Sequence, residues 1–206
     1  MRIQPKNRRL GILLSGRGSN FEAIADNISA GRLNAAIAVV VSNIENAPGL
    51  ESARRRGLET LFLPSRKRVR EEFDTELVAA LNARDAGLVV LAGFMRIVSS
   101  VLTDAFPYAI LNIHPALLPA FPGLDVQARA LEHGVKFSGA TVHFVTGTLD
   151  DGPIVRQAVV PVLDDDTPDS LGARILIEEH RIYSEAIELV LSGRCEIDGR
   201  RIVINH

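Results

Sequence analysis

Of the 206 residues only one, Cys195, is a cysteine, so no internal disulfide can form. No Cys/His cluster has the spacing of a zinc site either, and no metal is expected. Excess charge of one sign is also missing. The 23 Lys and Arg face 25 Asp and Glu, a formal net charge of −2, which gives no reason to expect a nucleic-acid or anionic-membrane partner. The basic run Arg66-Lys67-Arg68 with Arg70 is answered by Glu71, Glu72, Asp74 and Glu76, and reads as a solvated helix start. A long apolar run is absent too. Basic residues precede Leu10–Leu14, but that stretch is too short for the apolar core of a signal peptide or for a membrane span. A cytoplasmic protein is expected. With no repeat, low-complexity segment or linker, the expectation is one domain over 1–206, with 1–9 flexible and 195–204 a C-terminal hairpin.

What the chain does have is alternation. Leu10–Leu14 reads as a buried strand and "SGRGSN" turns into a helix over 20–29. "AAIAVVVSN" is a second strand, followed by a helix over 47–56 that Gly57 closes; "LETLFL" is a third. Val69, Phe73, Leu77 and Leu81 recur every fourth residue among charged positions, which specifies an amphipathic helix. "LVVLAGF" is apolar throughout, as a central parallel strand should be. A short helix over 99–105 then leads into "AILNIH". This order predicts an α/β fold: a doubly wound, mostly parallel, Rossmann-like sheet flanked by helices.

The C-terminal half changes style. "LDVQARALEHG" is helical up to Gly134, and "GATVHFVTG" and "GPIVRQAVVPV" read as an antiparallel or mixed extension of the sheet. Thr167-Pro168-Asp169 has helix-start chemistry, for a helix running to Leu191 and ending at Gly193. Asp198-Gly199 sits between short apolar stretches, a hairpin signature.

Two stretches carry chemistry. In "LNIHPALLPAFPG" the side chains of an extended segment alternate, so Asn112 and His114 point one way while Leu111 and Ile113 enter the packed layers. Pro115 holds His114 in the extended region and removes the next ladder donor. An amide and an imidazole are thus presented together at a strand's carboxyl end, although ordinary loop chemistry would produce the same pair. In "SGRGSN" a glycine loop between strand and helix can cradle an anion. Phe21 occupies the third position of the dinucleotide fingerprint and no Gly-Lys-Ser/Thr follows, so a single phosphate fits better than a pyrophosphate; a plain turn with Ser19 as helix cap remains open.

The remaining candidates are weaker. His143 on its strand could be a half-buried residue, and His133 suits a helix end. His206 is terminal and expected to be disordered. Glu178, Glu179 and His180 look locally like a solvent face. "LDDGP" is either a turn or the source of a carboxylate for His114, and "GFMRIV" supplies backbone groups beside the Asn112 strand. Ligands of open α/β sheets bind outside the carboxyl ends of the strands, where these segments fall.

Asn112-x-His114, "HPALLPAFPG", "GATVHFV" and "LDDGPI", in that order after "LSGRGSN", resemble the folate-dependent formyltransferases from about Leu10 to Leu191. The resemblance implies the branch that moves a formyl group from 10-formyltetrahydrofolate to phosphoribosylglycinamide in purine biosynthesis, without a covalent enzyme intermediate. It implies Asn112, His114 and Asp150 as the catalytic set, and Gly18, Ser19 and Asn20 around the substrate phosphate. Glu179 would contact the same substrate, while Arg70, Met95, Arg96, Ile97, Val98 and Asn112 would hold the folate. Its partners would be small molecules only, with the chain a monomer or homodimer. Ala116, Ala120 and Leu176 depart from the residues common in that family and put peripheral contacts in doubt.

The chemistry can be stated apart from the resemblance. An amine attacking a formyl carbon creates an oxyanion that the Asn112 amide and His114 can stabilise, and protons must leave the amine and reach the departing nitrogen. A formyltetrahydrofolate hydrolase typically adds an N-terminal domain and a methionyl-tRNA formyltransferase a C-terminal one, and neither extension is expected here. A nicotinamide-dependent oxidoreductase would need a different glycine loop.

Overall fold

The computed structural model describes residues 1–205, so His206 lies outside the described residues. Its sheet is built first from β1 (Arg9–Leu14), β2 (Ala36–Ser42), β3 (Thr60–Phe62), β4 (Leu88–Leu91) and β5 (Ile110–His114). Between them run α1 (Ser19–Ser29), α2 (Pro48–Arg55), α3 (Arg70–Ala83) and α4 (Ser100–Ala105). Then come α5 (Val126–Glu132), β6 (Phe137–Phe144), β7 (Ile154–Pro161), α6 (Pro168–Leu191), β8 (Cys195–Asp198) and β9 (Arg201–Ile204). The seven-stranded sheet has the order β3-β2-β1-β4-β5-β6-β7, and β8-β9 form a separate hairpin. Strands β1 to β5 pair in parallel, with Val90 on β4 opposite both Ile12 and Leu111. β6 and β7 join antiparallel, as the extension was expected to do.

Side-chain alternation sorts the sheet into two apolar faces. Leu10, Ile12, Leu14, Val40, Val90, Leu111 and Ile113 pack with residues of α1, α2, α5 and α6. Leu13, Val39, Val41, Val89, Leu91 and Ile110 pack with Phe73, Leu77 and Leu81 of α3 and Leu102 of α4. Those three α3 side chains are fully buried, and each contributes about 1.5–3 kcal/mol through burial. This second face loses its helical cover at β5. Beyond Ile110, Asn112 and His114 project onto a side of the sheet that α3 and α4 do not reach.

Several polar contacts fix the elements. Thr167 caps α6 in a reciprocal box with Ser170, satisfying donors the helix leaves open. The Tyr183 hydroxyl, fully buried, lies 2.9 Å from the Leu91 carbonyl and 3.0 Å from that of Leu111, tying α6 to both strands. Asp74 was expected on the solvated side of its helix and is instead fully buried. Its carboxylate accepts from the Ser99 N–H at 2.5 Å and the Ser99 hydroxyl at 2.7 Å, holding the start of α4.

The opening stretch, expected to be flexible over 1–9, is held at its first three residues against β8. The Ile3 N–H donates to the Cys195 carbonyl at 2.9 Å, the amino terminus donates to that of Ile197 at 2.8 Å, and Ile3 is buried. The β8 edge offers unpaired backbone groups, and this segment pairs with them.

Candidate active site

A cavity of about 590 Å³ opens over the uncovered part of β5. Its walls come from Gly93–Val98 after β4, Gly123–Gln127 after β5 and the Val145–Asp150 loop after β6. Asn112, His114 and His143 form its polar floor. The antiparallel register sets Asn112 opposite His143, so strand alternation puts both on the same side of the sheet.

The hydrogen bonds determine which atoms are free. The Phe121 carbonyl, 2.9 Å from His114 Nε2, can only accept, so that nitrogen carries a proton. His114 Nδ1 then faces the Asp150 carboxylate at 3.5 Å. The other Asp150 oxygen stands 3.7 Å from His143 Nε2, and the Gly123 N–H donates to Asp150 at 2.8 Å. By the same reasoning His143 Nδ1 donates to the Phe144 carbonyl at 3.0 Å, which leaves Nε2 to accept from the Asn112 amide at 3.2 Å. Burial pushes the His143 pKa below its ordinary value, in keeping with a neutral acceptor ring. One Asn112 N–H is thereby committed and the second remains for a ligand.

The rim is apolar and exposed: Met95, Ile97, Leu124 and Leu149 are each more than half accessible. Such a rim suits a flat, partly aromatic ligand. Arg96 lines the cavity, but its guanidinium stacks 4.7 Å above the Phe73 ring and donates to the Ser65 and Arg68 carbonyls. Its charge is thus engaged within the fold. Arg70, expected at the same ligand, is exposed at the first position of α3 and is not part of the cavity lining.

Beside the glycine loop a second recess of about 370 Å³ runs along α1, lined by Arg17, Ser19, Glu22, Ala23 and Asp26 with His180 of α6. Gly18, at φ +77°, is itself the N-cap of α1, which puts Ser19 inside the helix. A side chain at Gly18 would stand 3.0 Å from the Gly49 backbone. Asn20 is turned away from this recess, and its amide donates to Glu179 at 2.7 Å. Local sequence reading put Glu179 on a solvent face, but it is buried, and burial raises its pKa above the ordinary carboxyl value.

His143, Phe121 and Asp151 had no assigned role in the sequence. The proximity of the first two to Asn112 and His114 is set by strand register and loop closure, which no local motif encodes. Asp151, exposed beside Asp150, is held by Arg200 of the hairpin turn through its carboxylate and its carbonyl. Among the described residues no group of three or more His, Cys, Asp or Glu is placed to hold a metal ion, and no helix is long and apolar enough to cross a membrane.

Residues 8–187 match the family described as formyl transferase. The chain belongs to that family. The formyltransferase assignment extends to close relatives: the phosphoribosylglycinamide formyltransferase of Escherichia coli (strain K12) is 40% identical across 93% of this chain and 94% of its own length. The crystal structure of glycinamide ribonucleotide transformylase 1 from Symbiobacterium toebii superposes with a TM-score of 0.94 at 52% identity, covering 96% of this chain and 94% of that one. A formyltetrahydrofolate deformylase from Pseudomonas syringae pv. tomato gives 0.90 at 26% identity, with 97% of this chain matched to 66% of that one.

Proposed function

We propose that the chain transfers the formyl group of 10-formyltetrahydrofolate to the amine of phosphoribosylglycinamide in purine biosynthesis. The observation that carries this reading is the convergence of an amide, two imidazoles and a carboxylate at the floor of an apolar-rimmed cavity, in a chain that also holds an anion-type loop at β1–α1. The names of the relatives support the same acceptor. The folate would enter between the Met95–Val98 segment and the Val145–Asp150 loop. The substrate phosphate would sit at the N–H groups of Ser19 and Asn20, with Glu179 on the sugar or amine portion.

In this mechanism the amine attacks the formyl carbon directly. The free N–H of Asn112 and the Nδ1–H of a doubly protonated His114 stabilise the developing oxyanion, since the Nε2–H is already given to the Phe121 carbonyl. Asp150 receives the proton that the amine sheds, directly or through water, and the same route returns it to the departing folate nitrogen as the tetrahedral species collapses. No Ser or Cys lines the cavity and Cys195 is buried in the hairpin, which favours direct attack over a covalent intermediate on one of these residues. Small-molecule partners and a cytoplasmic setting belong to the same reading.

The test is an assay of the purified protein with 10-formyltetrahydrofolate, run with and without phosphoribosylglycinamide. The expected result is formylated product in step with loss of the folate formyl group, and little loss without the amine. Release of formate at the same rate in both reactions would overturn transfer in favour of hydrolysis.

A further inference from the structure

We propose that Arg200 is a positioning residue for formyl transfer: from the hairpin turn it holds residue 151 and so keeps the Asp150 carboxylate aimed at His114. The inference rests on the proposed function and goes beyond it to a part of the fold outside the cavity.

Asp150 lies in a connection without regular structure and has φ +51°, in the left-handed region that residues other than glycine seldom occupy. Such a conformation persists only where its surroundings over-determine it. On the inner side the carboxylate accepts from the Gly123 N–H at 2.8 Å. On the outer side the constraint falls on the next residue. Arg200 donates to both Asp151 carboxylate oxygens, at 2.7 and 3.1 Å, and to the Asp151 carbonyl at 2.9 Å. A forked guanidinium that grips side chain and backbone of one residue fixes its orientation, and with it the peptide leaving Asp150.

The anchor itself is firm. Gly199 and Arg200 form the two-residue turn between Asp198 and Arg201. Cys195 is fully buried, Ile197, Ile202 and Ile204 pack against the main core, and the N-terminal segment pairs with β8. The side chains of Arg200 and Asp151 are 70% and 49% accessible, so the pair adds little to global stability. Its consequence is local, on an atom whose placement governs the reaction.

Arg200→Ala in the full-length chain is therefore expected to lower kcat by roughly tenfold, within what small misplacements cost. The KM for phosphoribosylglycinamide and the thermal midpoint should stay near wild type. Asp150→Asn should lower kcat further, and adding Arg200→Ala to it should cost less than twofold, because the carboxylate through which Arg200 acts is already gone. A kcat within twofold of wild type in Arg200→Ala overturns the proposal. So does an equal fold loss from Arg200→Ala in both backgrounds, and so does a loss accompanied by a lowered thermal midpoint. If the wild-type chain itself fails to transfer the formyl group, the functional reading falls and takes this one with it; an active wild type with an unaffected Arg200→Ala overturns only the role of Arg200.

Discussion

The Asp150 carboxylate accepts from the Gly123 N–H at 2.8 Å and lies 3.5 Å from His114 Nδ1, which limits its freedom to turn. The two rings are not equivalent. His143 has one nitrogen on the Phe144 carbonyl and the other on Asn112, which leaves it to orient the amide. His114 keeps Nδ1 toward Asp150 on the cavity floor, where a proton can pass. His114→Ala is accordingly expected to cut turnover by on the order of 10² to 10⁴, the usual weight of general acid–base catalysis. Folate affinity, measured by equilibrium titration, should change little. Turnover close to wild type would remove His114 from the catalytic set.

At the scale of elements, the β1–α1 turn offers the N–H groups of Ser19 and Asn20 at the positive end of an eleven-residue helix. Gly18→Val is a poor probe of anion binding, because the side chain would clash with Gly49 and force φ out of the left-handed region. Ser19→Ala removes one hydroxyl from the recess and leaves the backbone alone. It should raise the KM for phosphoribosylglycinamide by about tenfold, the worth of a hydrogen bond to a charged group. The KM for the folate should hold, and if the folate KM rises instead, the two substrates are reversed in this reading. Helix α4 gives a separate prediction. Asp74→Ala strips the acceptor from the Ser99 N–H and hydroxyl, so denaturant unfolding should show a loss of about 1–3 kcal/mol.

For the whole molecule, buried histidines make stability depend on pH. Burial depresses the His143 pKa, so its folded value lies below the unfolded value of about 6.5. Between those values the unfolded chain binds more protons than the folded one. The contribution is thus fully present above about pH 6.5 and is lost as pH falls toward the folded pKa, by up to about 1.4 kcal/mol per pH unit. His180 is shifted the same way by burial. Glu179, raised by burial, acts oppositely, its contribution being lost as pH rises through its folded pKa. Comparing wild type with His143→Gln cancels those shared terms. Denaturant titrations from pH 7.0 to 5.5 should give a shallower decline in the variant, and identical slopes would show that His143 does not drive the effect.

The sequence by itself determined what depends on neighbours along the chain. Alternation in "LNIH" put Asn112 and His114 on one side and Leu111 and Ile113 on the other, because a strand turns each side chain over at every step. The fourfold recurrence of Val69, Phe73, Leu77 and Leu81 specified α3, and Thr167-Pro168 specified the start of α6. Three of those four α3 residues are buried, while Val69 is the exposed N-cap. Tertiary structure alone decided the rest. Asp74 reads as a surface residue until Ser99 is packed against it, and Glu179 until Asn20 is. The first three residues read as loose until the β8 edge lies beside them. His143 joins Asn112 because an antiparallel register, set by the core on the opposite face, lines them up. Asp151 meets Arg200 across 49 positions of chain, a closure that depends on how the hairpin docks. Local periodicity specifies the direction in which a side chain points, but its partner depends on the long-range packing of elements that carry no record of one another in their own sequence.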